Sequence, residues 1–316
     1  MSIVLVVFVL AVVLYLTVGI ITFILACGRQ KELPWLDDAA LQKTAYAQFS
    51  DHIRAADRWL KEHHAQPVET KSQDGLILRG SWVPVENARG TVLFVHGYRS
   101  CPLADFGLAY DFYHDMGFNI LLPDQRSHGK SEGKFITFGI RESEDMALWV
   151  EFHNRKFGKN PILLSGLSMG ASTVMYMADM PLPDNVKGII ADCGFTTPGE
   201  IISEVFRKTI HLPAKPFVWL ADKIARLVAN FSFYEKDTRK TLANSNLPIR
   251  MIHGTEDHFV PATMTKESFE ACRSDKKLLL VEKAGHAVSF LHDRERYGAM
   301  LVDFLNTIIP QKERDI

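Results

Sequence analysis

Six short apolar runs, each followed by a turn and a helical stretch, do most to limit what this 316-residue chain can become. They lie at 91–95, 119–122, 162–165, 186–191, 249–252 and 277–281, and most are dense in Ile, Leu and Val. A strand that is apolar along its whole length, rather than at alternate positions, has protein on both faces. Runs of that kind separated by helices predict a mainly parallel sheet covered on both sides. Ahead of them Val68 opens a period of two, the turn Gln73-Asp74-Gly75 breaks it, and Leu76, Leu78, Gly80 and Trp82 resume it, as in an antiparallel hairpin. The predicted fold is α/β: a mostly parallel twisted sheet with an N-terminal antiparallel hairpin and helices on both faces. A last helix over 294–309 carries Tyr297, Met300, Leu301, Phe304 and Ile308 on one stripe.

The run at 162–165 continues into Gly166-Leu167-Ser168-Met169-Gly170 and a helical stretch over 171–178. G-x-S-x-G between strand and helix describes a turn so sharp that side chains at its two glycines would strike their neighbours. It lifts the serine hydroxyl to the C-terminal edge of the sheet. The plain alternative is that Ser168 only caps the helix. A nucleophilic serine needs a base, and the base needs an orienting acid. His253-Gly254-Thr255-Glu256-Asp257 follows one run and Glu282-Lys283-Ala284-Gly285-His286 follows the next. Both lie past strand ends, where catalysts collect in open α/β sheets. Ser168, Asp257 and His286 therefore form the expected triad, in the order Ser, Asp, His.

Glu256 and Asp192 compete for the acid and His258 and His292 for the base, but their places relative to the strands favour Asp257 and His286. His96-Gly97-Tyr98-Arg99-Ser100 follows the run at 91–95. That places the backbone N–H groups of Tyr98 and Met169 as the expected donors to an oxyanion. His96 reads as a structural histidine of the same loop.

Composition narrows the remaining classes. Lys and Arg number 36 against 37 Asp and Glu, without basic blocks, so nucleic acid is not an expected partner. A hydrophobic share of 47% is too high for a disordered chain. Cys27, Cys101, Cys193 and Cys272 are scattered and contain no C-x-x-C pair, which points to neither zinc nor a disulfide scaffold. Gly129-Lys130-Ser131 resembles the end of a phosphate-binding loop, but Asp124 stands where its first glycine belongs. No metal and no other cofactor is expected.

Residues 1–28 carry no charged side chain and are almost entirely Val, Leu, Ile, Phe and Ala over 3–26. About 20 such residues cross a hydrocarbon core of about 30 Å. A cleaved secretory signal would have a basic leading segment and a shorter apolar one. The expected layout is a transmembrane anchor over 1–28, a linker and amphipathic helix over 29–66, and the main domain over 67–316. One continuous helix is predicted over 38–64. Arg29, Lys31 and Lys43 follow the anchor and no basic side chain precedes it, which favours a cytoplasmic domain on the cell membrane.

Taken together, His96-Gly97-Tyr98, Asp124-Gln125-Arg126-Ser127-His128-Gly129-Lys130-Ser131, Gly166-Leu167-Ser168-Met169-Gly170, His253-Gly254-Thr255-Glu256-Asp257 with Val260-Pro261, and Gly285-His286 resemble the α/β-hydrolases. Within that superfamily the chain is similar to membrane-anchored bacterial serine hydrolases of the esterase and lipase type. The resemblance spans 68–309 and implies a structural role for the 124–131 loop. It also implies a cap-like insert, here over 199–246. The aromatic load around the insert makes Phe195, Phe217 and Trp219 candidate substrate-binding residues of an apolar acyl pocket, with ordinary core packing as the alternative.

The implied activity is cleavage of a small-molecule carboxylic ester through an acyl-enzyme on Ser168. The same fold hosts serine peptidases, thioesterases and acyltransferases. A non-catalytic membrane-tethered binding module is a further alternative.

Overall fold

The computed structural model describes residues 2–310 apart from Gln30, Glu32 and Ala45. Residues 311–316 of the expected main domain and Met1 of the expected anchor therefore lie outside the described residues.

Helix α1 (Ile3–Cys27) begins where the Ser2 side chain accepts the Leu5 N–H. It is followed by α2 (Asp38–Leu41), a single 3₁₀ turn at Ala47–Phe49, and α3 (Ser50–Glu62). The continuous helix expected over 38–64 is thus broken. Thr44 Oγ1 donates to the Leu41 carbonyl at 2.8 Å and accepts the Tyr46 N–H at 3.1 Å. Such local side-chain to backbone bonds compete with helical ones. The break lets Leu41 and Ile53 close a small buried cluster with Trp35 and Cys101.

Strands β1 (Gln66–Lys71) and β2 (Ile77–Val83) form the hairpin, with Val68 opposite Gly80. Then come β3 (Gly90–Val95), α4 (Pro102–Phe106), α5 (Tyr110–Asp115), β4 (Phe118–Pro123), α6 (Ile140–Phe157), β5 (Ile162–Leu167), α7 (Met169–Tyr176) and β6 (Val186–Asp192). The cap region holds α8 (Pro198–Ile210), α9 (Ala214–Val228) and α10 (Thr238–Ala243). The chain ends with β7 (Ile249–Gly254), α11 (Ala262–Ala271), β8 (Lys276–Val281), α12 (Ser289–His292) and α13 (Arg294–Ile308).

The eight strands form one sheet in the order β1-β2-β4-β3-β5-β6-β7-β8. The pairs β1/β2 and β2/β4 are antiparallel and the others parallel. From β3 the chain goes to β4 on one side, and from β4 it crosses to β5 on the other. The loops leaving β3 and β5 therefore diverge and open a crevice above the strand ends. Val95 and Gly166 are paired in register at that point.

Both faces of the sheet are buried, as continuous apolar strands require. In β3, Val92 and Phe94 pack with Tyr110 and Phe304 on one side. Leu93 and Val95 pack with Trp149 and Met175 on the other. A third cluster joins the cap to α1, with Phe23 and Cys27 among Phe138, Phe206, Val218 and Phe231.

The contact between α1 and α9 covers only the second half of α1. Tyr15 donates its hydroxyl proton to the Pro216 carbonyl at 3.1 Å, and its ring lies 5.6 Å from that of Phe217. Gly19 lets the two helices touch: a Cβ there would sit 2.3 Å from Leu220 Cδ2. Residues 3–14 are exposed except for the half-buried Val6. Past α1, Arg29 donates to the carbonyls of Ser131 at 2.7 Å and Gly129 at 2.8 Å.

Candidate active site

Ser168 stands between β5 and α7 with φ 54° and ψ −116°, a left-handed conformation that costs a non-glycine residue energy. The two flanking glycines make the turn possible. A Cβ on Gly166 would meet the Gly170 carbonyl oxygen at 2.2 Å, and one on Gly170 would meet the Val95 carbonyl oxygen at 1.7 Å. Ser168 makes no side-chain capping bond to α7. Its Oγ faces His286 Nε2 at 2.9 Å instead, and its N–H donates to the Asp192 carbonyl at 2.8 Å.

His286 follows β8 and is partly exposed; its Nδ1 lies 2.6 Å from Asp257 Oδ2. Asp257 is buried, and its other oxygen accepts the N–H groups of Phe259 at 2.9 Å and Val260 at 2.8 Å. Burial alone would raise this carboxyl, but the hydrogen bonds and charges of His253 and His286 outweigh it and hold the group below the usual carboxylate range. An ionised Asp257 requires a proton on His286 Nδ1, which leaves Nε2 free to accept the Ser168 proton.

The competing residues face elsewhere. Glu256, His258 and His292 are exposed. Asp192 is buried beside Ser289, and burial pushes its carboxyl up to about 6 against the pull of His253. Cys193 has its sulfur within 4.8 Å of Asp257 and His286, but burial pushes its thiol well above the ordinary value and keeps it protonated. A protonated thiol is a poor metal ligand.

The loop after β3 is held at three points. His96 is buried and neutral, its pKa pushed well down by burial and by His128. Its Nε2 accepts the Gln125 N–H at 3.0 Å and its Nδ1 pairs with the Gly97 carbonyl at 2.8 Å. The Gly97 N–H donates to Asp105 at 2.6 Å, and the Arg99 N–H donates to His128 Nε2 at 3.0 Å. Burial lowers His128 to about 4, so that nitrogen accepts at neutral pH. Between these two engaged amides, the Tyr98 N–H donates to no backbone or side-chain acceptor among the described residues, and neither does the Met169 N–H at the start of α7.

Arg126 anchors the neighbouring loop. It pairs with buried Asp145 at 2.6 Å and reaches Asp74 of the hairpin turn at 3.1 Å.

Two cavities meet at Ser168. One, of about 490 Å³, also touches His286, Gln48, His52, Asp105 and Phe290. The other, of about 570 Å³, runs between α1 and α8 and is lined almost wholly by apolar and aromatic groups. Phe195 lines this second cavity. Phe217 does not; its ring stacks on Phe206 at 5.3 Å and meets Tyr15. Trp219 is 54% exposed, with the Lys223 ammonium 5.4 Å from its ring centre. The candidate aromatics therefore divide, with Phe195 at the cavity and the other two at the contact with α1 and on the surface.

Three groups at the site carried no signal in the sequence. Asp105 lies in the short helix α4 and belongs to no motif, Phe259 reaches both cavities with its ring 5.1 Å from that of His286, and α1 supplies a cavity wall.

Comparison with known proteins agrees with this architecture. A family described as alpha/beta hydrolase fold matches residues 90–215. The esterase Pf2001 of Pyrococcus furiosus superposes with a TM-score of 0.65 over 79% of this chain and 94% of that one, at 22% identity. This chain has the α/β-hydrolase fold. Among relatives by sequence, the uncharacterized protein YqkD of Bacillus subtilis is 27% identical over 235 residues, covering 74% of this chain and 77% of its own. An uncharacterized membrane protein of Saccharomyces cerevisiae is 24% identical over 240 residues, with the same shares. Ahead of the hydrolase fold, α1 is long and apolar enough to cross a membrane.

Proposed function

We propose that this protein is a membrane-anchored serine hydrolase that cleaves carboxylic esters. The observation that carries the proposal is the chain of contacts from Asp257 through His286 to Ser168, at 2.6 and 2.9 Å. Ser168 Oγ attacks the ester carbonyl carbon while its proton passes to His286 Nε2. Asp257 holds the ring in the required tautomer and stabilises the imidazolium that forms. The N–H groups of Tyr98 and Met169 receive the negative charge that develops on the carbonyl oxygen. The carbon–oxygen bond to the alcohol then breaks, and the alcohol leaves with the proton from His286. Water, losing a proton to His286, attacks the acyl carbon, and the acid departs as Ser168 regains its hydrogen.

Residues 67–316, with a cap over 199–246, serve as the catalytic domain in this reading, and α1 serves as a single-pass anchor. Arg29, Lys31 and Lys43 after α1 support a cytoplasmic catalytic domain. The substrate is a small ester whose acyl part is apolar, in keeping with the lining of the second cavity.

The test is hydrolysis of p-nitrophenyl esters from acetyl to palmitoyl by the full chain in detergent. Ser168→Ala is expected to lower kcat by about 10³-fold to 10⁶-fold. Equal activity in the variant would overturn the assignment.

A further inference from the structure

The length of α1 and the place where it docks are in tension, and the tension is informative. Residues 3–14 stand clear of the domain, and twelve helical residues rise only about 18 Å, against a hydrocarbon core of about 30 Å. A spanning α1 must place Tyr15 to Thr22 in hydrocarbon as well, and those residues run along the cap. The first turns of α9 and the end of α8 then lie inside the leaflet. The cap surface fits that position: Ile210, Leu212 and Trp219 are exposed, each by 47% or more. Lys215 and Lys223 are exposed among them, with stems that carry their charges toward the headgroups.

The second cavity opens at this depth. Val18, Ile21, Thr22 and Leu25, at helical spacings of three and four, give α1 one continuous face on it. Opposite stand Ile202, Val205, Phe206 and Ile210 of α8, and the inner end is Ser168. Ile21, Leu25 and Ile210 at the rim are 47%, 60% and 47% exposed. From Val18 to Leu25 the wall rises about 10 Å. A wet active site has no need of a mouth rimmed by bare aliphatic side chains, whereas in a bilayer such a mouth is continuous with the acyl chains around it. The first cavity, with Gln48, His52 and Asp105, leads from Ser168 in another direction and offers polar groups to the alcohol side of an ester.

We propose, resting on the reading of the chain as an anchored esterase, that α1 is one wall of the acyl-binding groove. The substrate class is then amphiphilic esters whose acyl chain resides in the membrane and slides between α1 and α8 to Ser168.

The experiment uses the full chain in phosphatidylcholine nanodiscs with p-nitrophenyl acetate and p-nitrophenyl octanoate as probes. Thr22→Trp fills the groove and is expected to lower the octanoate-to-acetate ratio of kcat/KM at least tenfold. Val18→Ala, which removes bulk and is tolerated more readily, is expected to raise the octanoate-to-acetate ratio. Val13→Trp, on the bare half of α1, is the control and leaves the ratio within twofold. Labelling of Ser168 by a small fluorophosphonate separates two kinds of failure. If Thr22→Trp and Val18→Ala are labelled and both keep the wild-type chain-length profile, the groove is wrong while the esterase reading stands. If the wild-type chain is neither labelled nor active, the esterase reading falls and takes the groove with it.

Discussion

On the sheet side of Ser168 the main chain decides geometry, and on the cap side distant side chains do. Gly166 and Gly170 admit the turn because backbone oxygens stand where a Cβ would go, and Val95 holds β3 to β5 in register beside it. The other wall is assembled from Tyr15, Gly19 and Phe23 meeting the cap, with 201 positions separating Tyr15 from its partner Pro216. The first kind of wall tolerates almost no change in shape. The second can be resized one side chain at a time, which is where differences in substrate among proteins of one fold have room to arise.

The comparison can be broken or sharpened by substitution. The largest effect is expected at Gly170→Ala, whose methyl group would sit against the Val95 carbonyl oxygen with only backbone available to yield. A loss of about 3 kcal/mol or more of stability is expected, read as a lower urea midpoint together with loss of Ser168 labelling. A soluble, fully active Gly170→Ala protein would show that the turn is less constrained than its contacts state.

A smaller effect is expected at Asp105→Asn. The amide side chain still accepts from Gly97 N–H but without charge, so the Tyr98 loop is held less firmly and kcat falls about tenfold, or about 1.4 kcal/mol. Stability should respond to pH in a defined direction. Burial raises the Asp105 carboxyl to about 6 in the folded chain, above its ordinary value, so the folded state binds the proton more tightly than the unfolded one. That contribution is complete below about pH 4 and is lost as pH rises through about 6. Wild type should therefore lose thermal stability relative to Asp105→Asn across this window, and parallel curves would disprove the assignment. The smallest effect belongs to Trp219→Ala. Its ring is exposed and off the cavity, so the chain-length profile should stay within twofold in detergent.

What the sequence made legible follows the same division. Strand positions and the turn around Ser168 depend on local patterns, such as continuous apolar runs and paired glycines, and these can be read one segment at a time. The helix expected over 38–64 failed because the Thr44 side chain bonds the backbone of Leu41 and Tyr46, a choice that periodicity does not record. The three candidate aromatics, Phe195, Phe217 and Trp219, could not be told apart by residue type. Only the packing of α1 separates Phe195, which faces the cavity, from Phe217, which faces Tyr15. Asp105 could not be singled out at all, because its importance rests on a loop brought to it by the fold.

The wide separation of Tyr15 and Pro216 along the chain also orders events during synthesis. The helix leaves the ribosome first and can be in the bilayer long before the cap exists. Its partner residues arrive about two hundred positions later, after the strand and turn that carry Ser168. If α1 is the anchor and groove wall proposed above, the groove is among the last parts of the molecule to close, and a chain that has folded its Ser168 turn but missed its membrane has no finished place to put an acyl group. In that reading location and competence are set by a single docking event.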